Sequence, residues 1–150
     1  GNKIVGFVAP HFVRENHFAY SVENEFNAVV VEALFSDKQL FLGKGAGSHP
    51  TASAVLSDIS ALQFNYRYEY KKAHLSTLPK FSNDFNINIY LGSSSKELLD
   101  KVTFEKVLTE SFSEGHAYRT GVVKFSELTK IDFNKTKNLF FAVLPEDGLV

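Results

Sequence analysis

The sequence predicts an α+β chain in two parts: a mixed-sheet region followed by a ferredoxin-like βαββαβ module. Three observations carry this. Apolar residues switch repeatedly between strand alternation and helical spacing. One long helical pattern, after Pro50, follows the strands of the first half. The second half reads strand, short helix, two strands, short helix, strand. The expected boundary places residues 1–74 in the first part and 75–150 in the second, with 74–80, which contains Pro79, as linker.

In the first part, residues 4–9 form a short apolar run closed by Pro10 and predict a strand. Residues 15–22 predict a short helix. Residues 26–34 are apolar at both parities, the pattern of a strand covered on both faces. A turn at Ser36-Asp37-Lys38 and a return strand over 39–42 complete a hairpin. The helix that follows carries Pro50 in its first turn, where the missing N–H costs nothing. Its apolar residues Ala52, Val55, Leu56, Ile59 and Leu62 mark one core-facing stripe. Residues 65–70 then alternate like a strand.

The second part opens with the clearest alternation: Phe85, Ile87, Ile89 and Leu91 face one way, Asn86, Asn88 and Tyr90 the other. Ser93, Ser94 and Ser95 offer an N-cap for a helix over 96–100. Strands are expected over 103–112 and 118–125, joined at Glu114-Gly115. Ser126 is a candidate cap for a helix over 127–131, and 139–144 is a buried strand.

Composition narrows the function classes. The 150 residues are 44% hydrophobic and 22% charged, with 15 Phe, which supplies enough apolar surface for a core. A net charge of −1 with scattered cations gives no basic stripe, so no nucleic acid is expected as a partner. The absence of Cys excludes disulfides and thiolate chemistry and fits a cytoplasmic location. No apolar run approaches the roughly 18 residues of a membrane helix. The five His residues show neither H-x-x-x-H nor H-E-x-x-H spacing, so no metal site is expected. Strand-like sequence starting at Ile4 is read as the mark of an excised segment, with simple Met removal as the alternative.

The sharpest feature is Gly43-Lys44-Gly45-Ala46-Gly47-Ser48-His49-Pro50-Thr51, three alternate glycines between a strand and a helix. Such a turn permits positive φ and close backbone approach, and helix N-terminal amides face whatever lies against it. On glycine content alone, a tight connection without a ligand is the better reading. The turn is not a P-loop, because Lys44 precedes the last glycine, and its glycine spacing is not G-x-G-x-x-G. His49 precedes the helix and could meet the cofactor region but is more simply read as a surface or capping position. Asp58 is read as part of a solvated helix face, and Tyr66, Tyr68 and Tyr70 as half-buried sheet packing.

The run Phe26-Asn27-Ala28-Val29, Phe41-Leu42-Gly43-Lys44-Gly45-Ala46-Gly47 and Pro50-Thr51-Ala52-Ser53-Ala54-Val55, ending at Ser57-Asp58-Ile59, resembles the closing segment of homoserine dehydrogenases. The resemblance spans about residues 4–62. Beyond residue 80 it rests on element order alone, which resembles the family's ACT-like regulatory extension. The resemblance implies NAD(P) as cofactor of the intact enzyme, with Gly47 approaching the nicotinamide end. It further implies that Gly45 and Ala46 give the tight approach and that Thr51 helps position cofactor or substrate. It implies no catalytic residue here, because the family's Rossmann strand-turn-helix and its Lys-containing acidic stretch are absent. The fragment alone is therefore expected to be inactive. The expected partners are the N-terminal Rossmann and catalytic regions of the parent chain, a second copy in a homodimer, and an amino-acid effector. Two other readings stay open: a stand-alone amino-acid-binding module and a ligand-free dimerisation domain.

Overall fold

The structure, a computed structural model, describes residues 3–66 and 78–145. In chain order its elements are β1 (Lys3–Ile4), a 3-10 turn (Phe18–Ser21), β2 (Phe26–Ala33), β3 (Ser36–Lys44) and α1 (Ser48–Gln63). After these come β4 (Lys80–Phe81), β5 (Asn86–Ser93), α2 (Lys96–Leu99), β6 (Phe104–Ser113), β7 (His116–Lys124), α3 (Phe125–Leu128) and β8 (Leu139–Val143). The chain is a mixed α+β protein. It divides into two compact units, one of residues 1–14 with 77–150, the other of residues 15–76.

The larger unit is built on a four-stranded antiparallel sheet in the order β6-β7-β5-β8. Strand β5 is central, with Leu91 opposite Arg119 of β7 on one side and Phe141 of β8 on the other. Its alternation was legible because only one face is buried: Ile87, Ile89 and Leu91 are buried, while Asn86, Asn88 and Tyr90 are not. The core adds Leu99 of α2, Val102, Ala117 and Val123 of β7, Leu128 of α3 and Leu139 of β8. Arg119 ties three elements together. Its Nε donates to Glu110 Oε2 of β6 at 3.1 Å, its Nη2 to Asp100 Oδ1 after α2 at 3.1 Å, and its guanidinium lies 5.6 Å over the Phe104 ring.

The N-terminal segment belongs to this unit. Residues 4–9 do not form the expected strand: only Lys3–Ile4 pairs, in parallel with Lys80–Phe81. Further on, Val143 N donates to Pro10 O at 2.8 Å and Phe12 N to Val143 O at 2.9 Å. The segment thus runs along the outer edge of β8, which would otherwise carry unpaired backbone groups. Phe7 packs against Phe85 and Phe125, whose rings stack 4.8 Å apart.

The smaller unit is the hairpin β2–β3 with α1. Pairing runs from Phe26↔Lys44 to Ala33↔Ser36. The turn therefore falls at Leu34-Phe35 and not at Ser36-Asp37-Lys38, because the register fixed at the open end centres the hairpin near Phe35. The expected helix over 15–22 shrinks to the single turn Phe18–Ser21, capped by His17, whose Nδ1 accepts from Ala19 N at 3.1 Å. Helix α1 ends in a Schellman motif: Tyr66 N reaches Ala61 O, Asn65 N reaches Leu62 O, and Asn65 sits at φ 52°. Residues 26–34 were expected to be covered on both faces, and α1 to pack on a core. Among the described residues neither happens. Val29, Phe41, Val55 and Leu56 are all more than half exposed, since two strands and one helix cannot enclose a core by themselves.

One further boundary differs from expectation. Helix α3 starts at Phe125, with Lys124 and not Ser126 at the N-cap. Ser126 instead lies inside the turn, where its carbonyl accepts from Thr129 Oγ1. Most of the expected strand over 65–70 and of the linker over 74–80 lies outside the described residues. Among the described residues no helix is long and apolar enough to cross a membrane.

Leu91→Ala, which removes a side chain with no exposed surface, is expected to cost about 2–5 kcal/mol. Arg119→Met should cost less, about 1–2 kcal/mol, because both acidic partners are half exposed. Thermal unfolding of the two variants checks that order.

Candidate functional site

The candidate site lies where β3 turns into α1. The ladder ends at Phe26↔Lys44, and one further bond, from Gly45 N to Glu25 O at 3.1 Å, carries the pairing into the turn. Lys44 Nζ donates to Glu25 Oε1 at 2.7 Å and lies 5.1 Å over the Phe26 ring. The base of the turn is therefore held by backbone, charge and ring contact together. That ion pair, first, and a backbone hydrogen bond hold the Glu25 carboxyl below its ordinary range.

Gly47 has φ 112°, a region that L side chains rarely adopt, and it is the N-cap of α1 with no side-chain cap. Its carbonyl is held twice, by Thr51 N at 3.2 Å and by Thr51 Oγ1 at 2.8 Å. Gly45 faces the Asn27 side chain so closely that a Cβ there would displace the Asn27 amide. Pro50 has no N–H, and the Ser48 and His49 amides in the first turn have no intrahelical partners. These amides carry the positive end of the α1 dipole.

Beside the turn is an open groove of about 610 Å³ lined by Glu25, Lys44, Ala46, Gly47, His49 and Ser53. Of the four residues singled out from the sequence, Ala46 and Gly47 line this groove. Gly45 packs on Asn27, and Thr51 spends its hydroxyl on the Gly47 carbonyl. The sequence reading missed the Glu25–Lys44 pair and the Asn27 contact. Both cross the ladder, so they follow only from its register. His49 lies on the groove, next to Ser48 Oγ at 3.3 Å, and is not the helix cap.

The arrangement suits a flat or anionic group brought against bare backbone: Gly47 without a Cβ, free helix amides and an open approach. Its one hydroxyl–imidazole contact among the described residues, Ser48 Oγ to His49 Nδ1 at 3.3 Å, joins sequence neighbours. Among the described residues no group of three or more His, Asp or Glu side chains is placed to hold a metal.

Comparison with known proteins adds the following. Residues 3–60 match the family model for homoserine dehydrogenase. The homoserine dehydrogenase of Bacillus subtilis (strain 168) is 34% identical over 125 residues, covering 72% of this chain and 29% of that protein. That of Lactococcus lactis subsp. lactis is 30% identical over 139 residues, covering 79% of this chain and 31% of that protein. The Mycobacterium tuberculosis (strain H37Rv) enzyme is 48% identical over 52 residues, which is 35% of this chain and 12% of that protein. The chain spans less than a third of the length of these relatives.

Glu25 should titrate below the ordinary glutamate value in an NMR pH series. Its depressed pKa means the pair is intact above the ordinary carboxylate range and is lost as pH falls through the lowered value. Lys44→Gln is expected to return Glu25 most of the way to the ordinary value, and an unchanged midpoint in that variant would break the assignment.

Proposed function

Because this chain belongs to the homoserine dehydrogenase family, we propose that it completes the nicotinamide side of that enzyme's active site and carries a small regulatory module. The parent reaction is the interconversion of L-homoserine and L-aspartate 4-semialdehyde, in threonine and methionine biosynthesis in the cytoplasm. The bound NAD(P) supplies the hydride acceptor and donor. This chain supplies placement. The observation that carries the reading is the turn at Gly45–Gly47, with Gly47 lacking a Cβ on an open groove beside uncapped helix amides.

Gly47 and Ala46 line the face against which the nicotinamide ring would rest, while Gly45 packs on Asn27 at the back of the turn. Thr51 acts indirectly, by fixing the Gly47 carbonyl through two hydrogen bonds. The residues that bind the nucleotide phosphates, hold homoserine and move its hydroxyl proton lie in the rest of the parent enzyme. The isolated chain is accordingly inactive.

The uncovered faces of β2–β3 and α1 support a place within a larger sheet that the catalytic region and a second protomer complete. The larger unit reads as a ferredoxin-like, ACT-like module. Its β-α-β-β-α-β order and its β6-β7-β5-β8 antiparallel sheet support that reading. The similarity to the B. subtilis enzyme also runs over more residues than the family model matches, so it continues past residue 60. The same sheet order favours a second reading, an amino-acid-binding module in its own right.

In the parent enzyme, Gly47→Val is expected to raise the KM for the cofactor and lower kcat/KM by on the order of 100-fold, through a strained φ and a blocked approach. Unchanged steady-state kinetics would remove the site. Isothermal titration of the enzyme with threonine, methionine and lysine tests the module: heat with one of them is expected, and none with any would count against regulation.

A further inference from the structure

We propose that Asn27 is a positioning residue of this site, the side chain that sets where the Gly45–Gly47 backbone stands. The inference rests on the functional reading above and adds a residue to it. Asn27 lies in β2 directly opposite Gly43, and ladder pairs on either side, Phe26↔Lys44 and Ala28↔Leu42, fix its backbone. Its side chain leans past Gly43 onto Gly45. An ideal Cβ at Gly45 would stand 2.9 Å from Asn27 Cγ and nearer still to Nδ2. Real Cβ atoms do not come so close, so a side chain at position 45 would make the Asn27 amide turn aside.

This contact acts on a short stretch with little slack. Gly45 is tethered through its N–H to Glu25 O, and Gly47 through its carbonyl to Thr51. Only Ala46 lies between them, and Ala46 and Gly47 line the groove. A shift of the Gly45 backbone therefore reaches the groove surface within two residues. Asn27 does not itself line the groove, so its effect passes through the turn. The contact also gives Gly45 a reason to be glycine that differs from that of Gly47. Gly47 needs a positive φ; Gly45 needs room for a neighbour's amide.

The test is a double-mutant cycle in the full parent enzyme. Asn27→Ala removes the amide, and Gly45→Ala displaces it without changing it. Each is expected to raise the KM for the nicotinamide cofactor by about three- to tenfold, with kcat less affected and the thermal midpoint unmoved. The double variant should be no worse than the more affected single, since both remove one contact. Asn27→Asp, which keeps the shape, should stay within about twofold of wild type. Wild-type cofactor KM in Asn27→Ala, or a multiplicative double variant, would overturn the proposal. A wild-type enzyme that does not oxidise homoserine would instead sink the functional reading. The Gly47 amide resonance of this chain then decides on Asn27 separately: a shift in Asn27→Ala supports the proposal, and no shift overturns it.

Discussion

A strand in the middle of a sheet must have its backbone groups paired on both sides, and the larger unit depends on that requirement being met at β5. Strands β7 and β8 meet it, and each brings its own half of the core: Ala117 and Val123 from one side, Leu139 from the other. The short helices α2 and α3 contribute Leu99 and Leu128 to the same face. The requirement then moves outward to β8, whose free edge is taken by the backbone at Pro10 and Phe12. The other edge, β6, is interrupted by two register shifts, which make it a poor template for further pairing.

The smaller unit follows the same rule to a different end. Among the described residues its hairpin pairs one side of each strand and leaves the other side unpaired and most of its side chains exposed. What it does determine well is local: the ladder register carries Glu25, Asn27 and Lys44 to the base of the turn. The precision of the candidate site comes from that register and from the two hydrogen bonds by which Thr51 holds the Gly47 carbonyl, rather than from burial. A turn built this way keeps its shape while its outer surface stays open to a cofactor or another protein surface.

How much of this could be read beforehand follows from how local each feature is. The β5 alternation and the strand–helix order of the second half were plain in the sequence, because one-sided burial leaves a two-residue signature. The glycine turn between β3 and α1 stands out as a consecutive run of residues. The hairpin turn was misplaced because Ser36-Asp37-Lys38 has turn chemistry, whereas the ladder needs the reversal at Leu34-Phe35. Asn27 against Gly45 and Val143 against Pro10 and Phe12 are contacts across strands, and no local pattern encodes them. The Glu25–Lys44 pair was visible only as two charges far apart in the sequence.

The pairing of residues 10–12 with β8 also bears on how the two units can be separated. The chain passes through the larger unit, leaves it for the hairpin and helix, and returns, so the units share two covalent crossings. The larger unit is thus a discontinuous domain whose first piece lies upstream of the glycine turn. Cutting the chain near residue 75 would strip β8 of its edge partner and strand that partner on the other product. A graft or exchange of this unit between relatives has to carry residues 3–14 with it, and swapping only the downstream piece tests a damaged module.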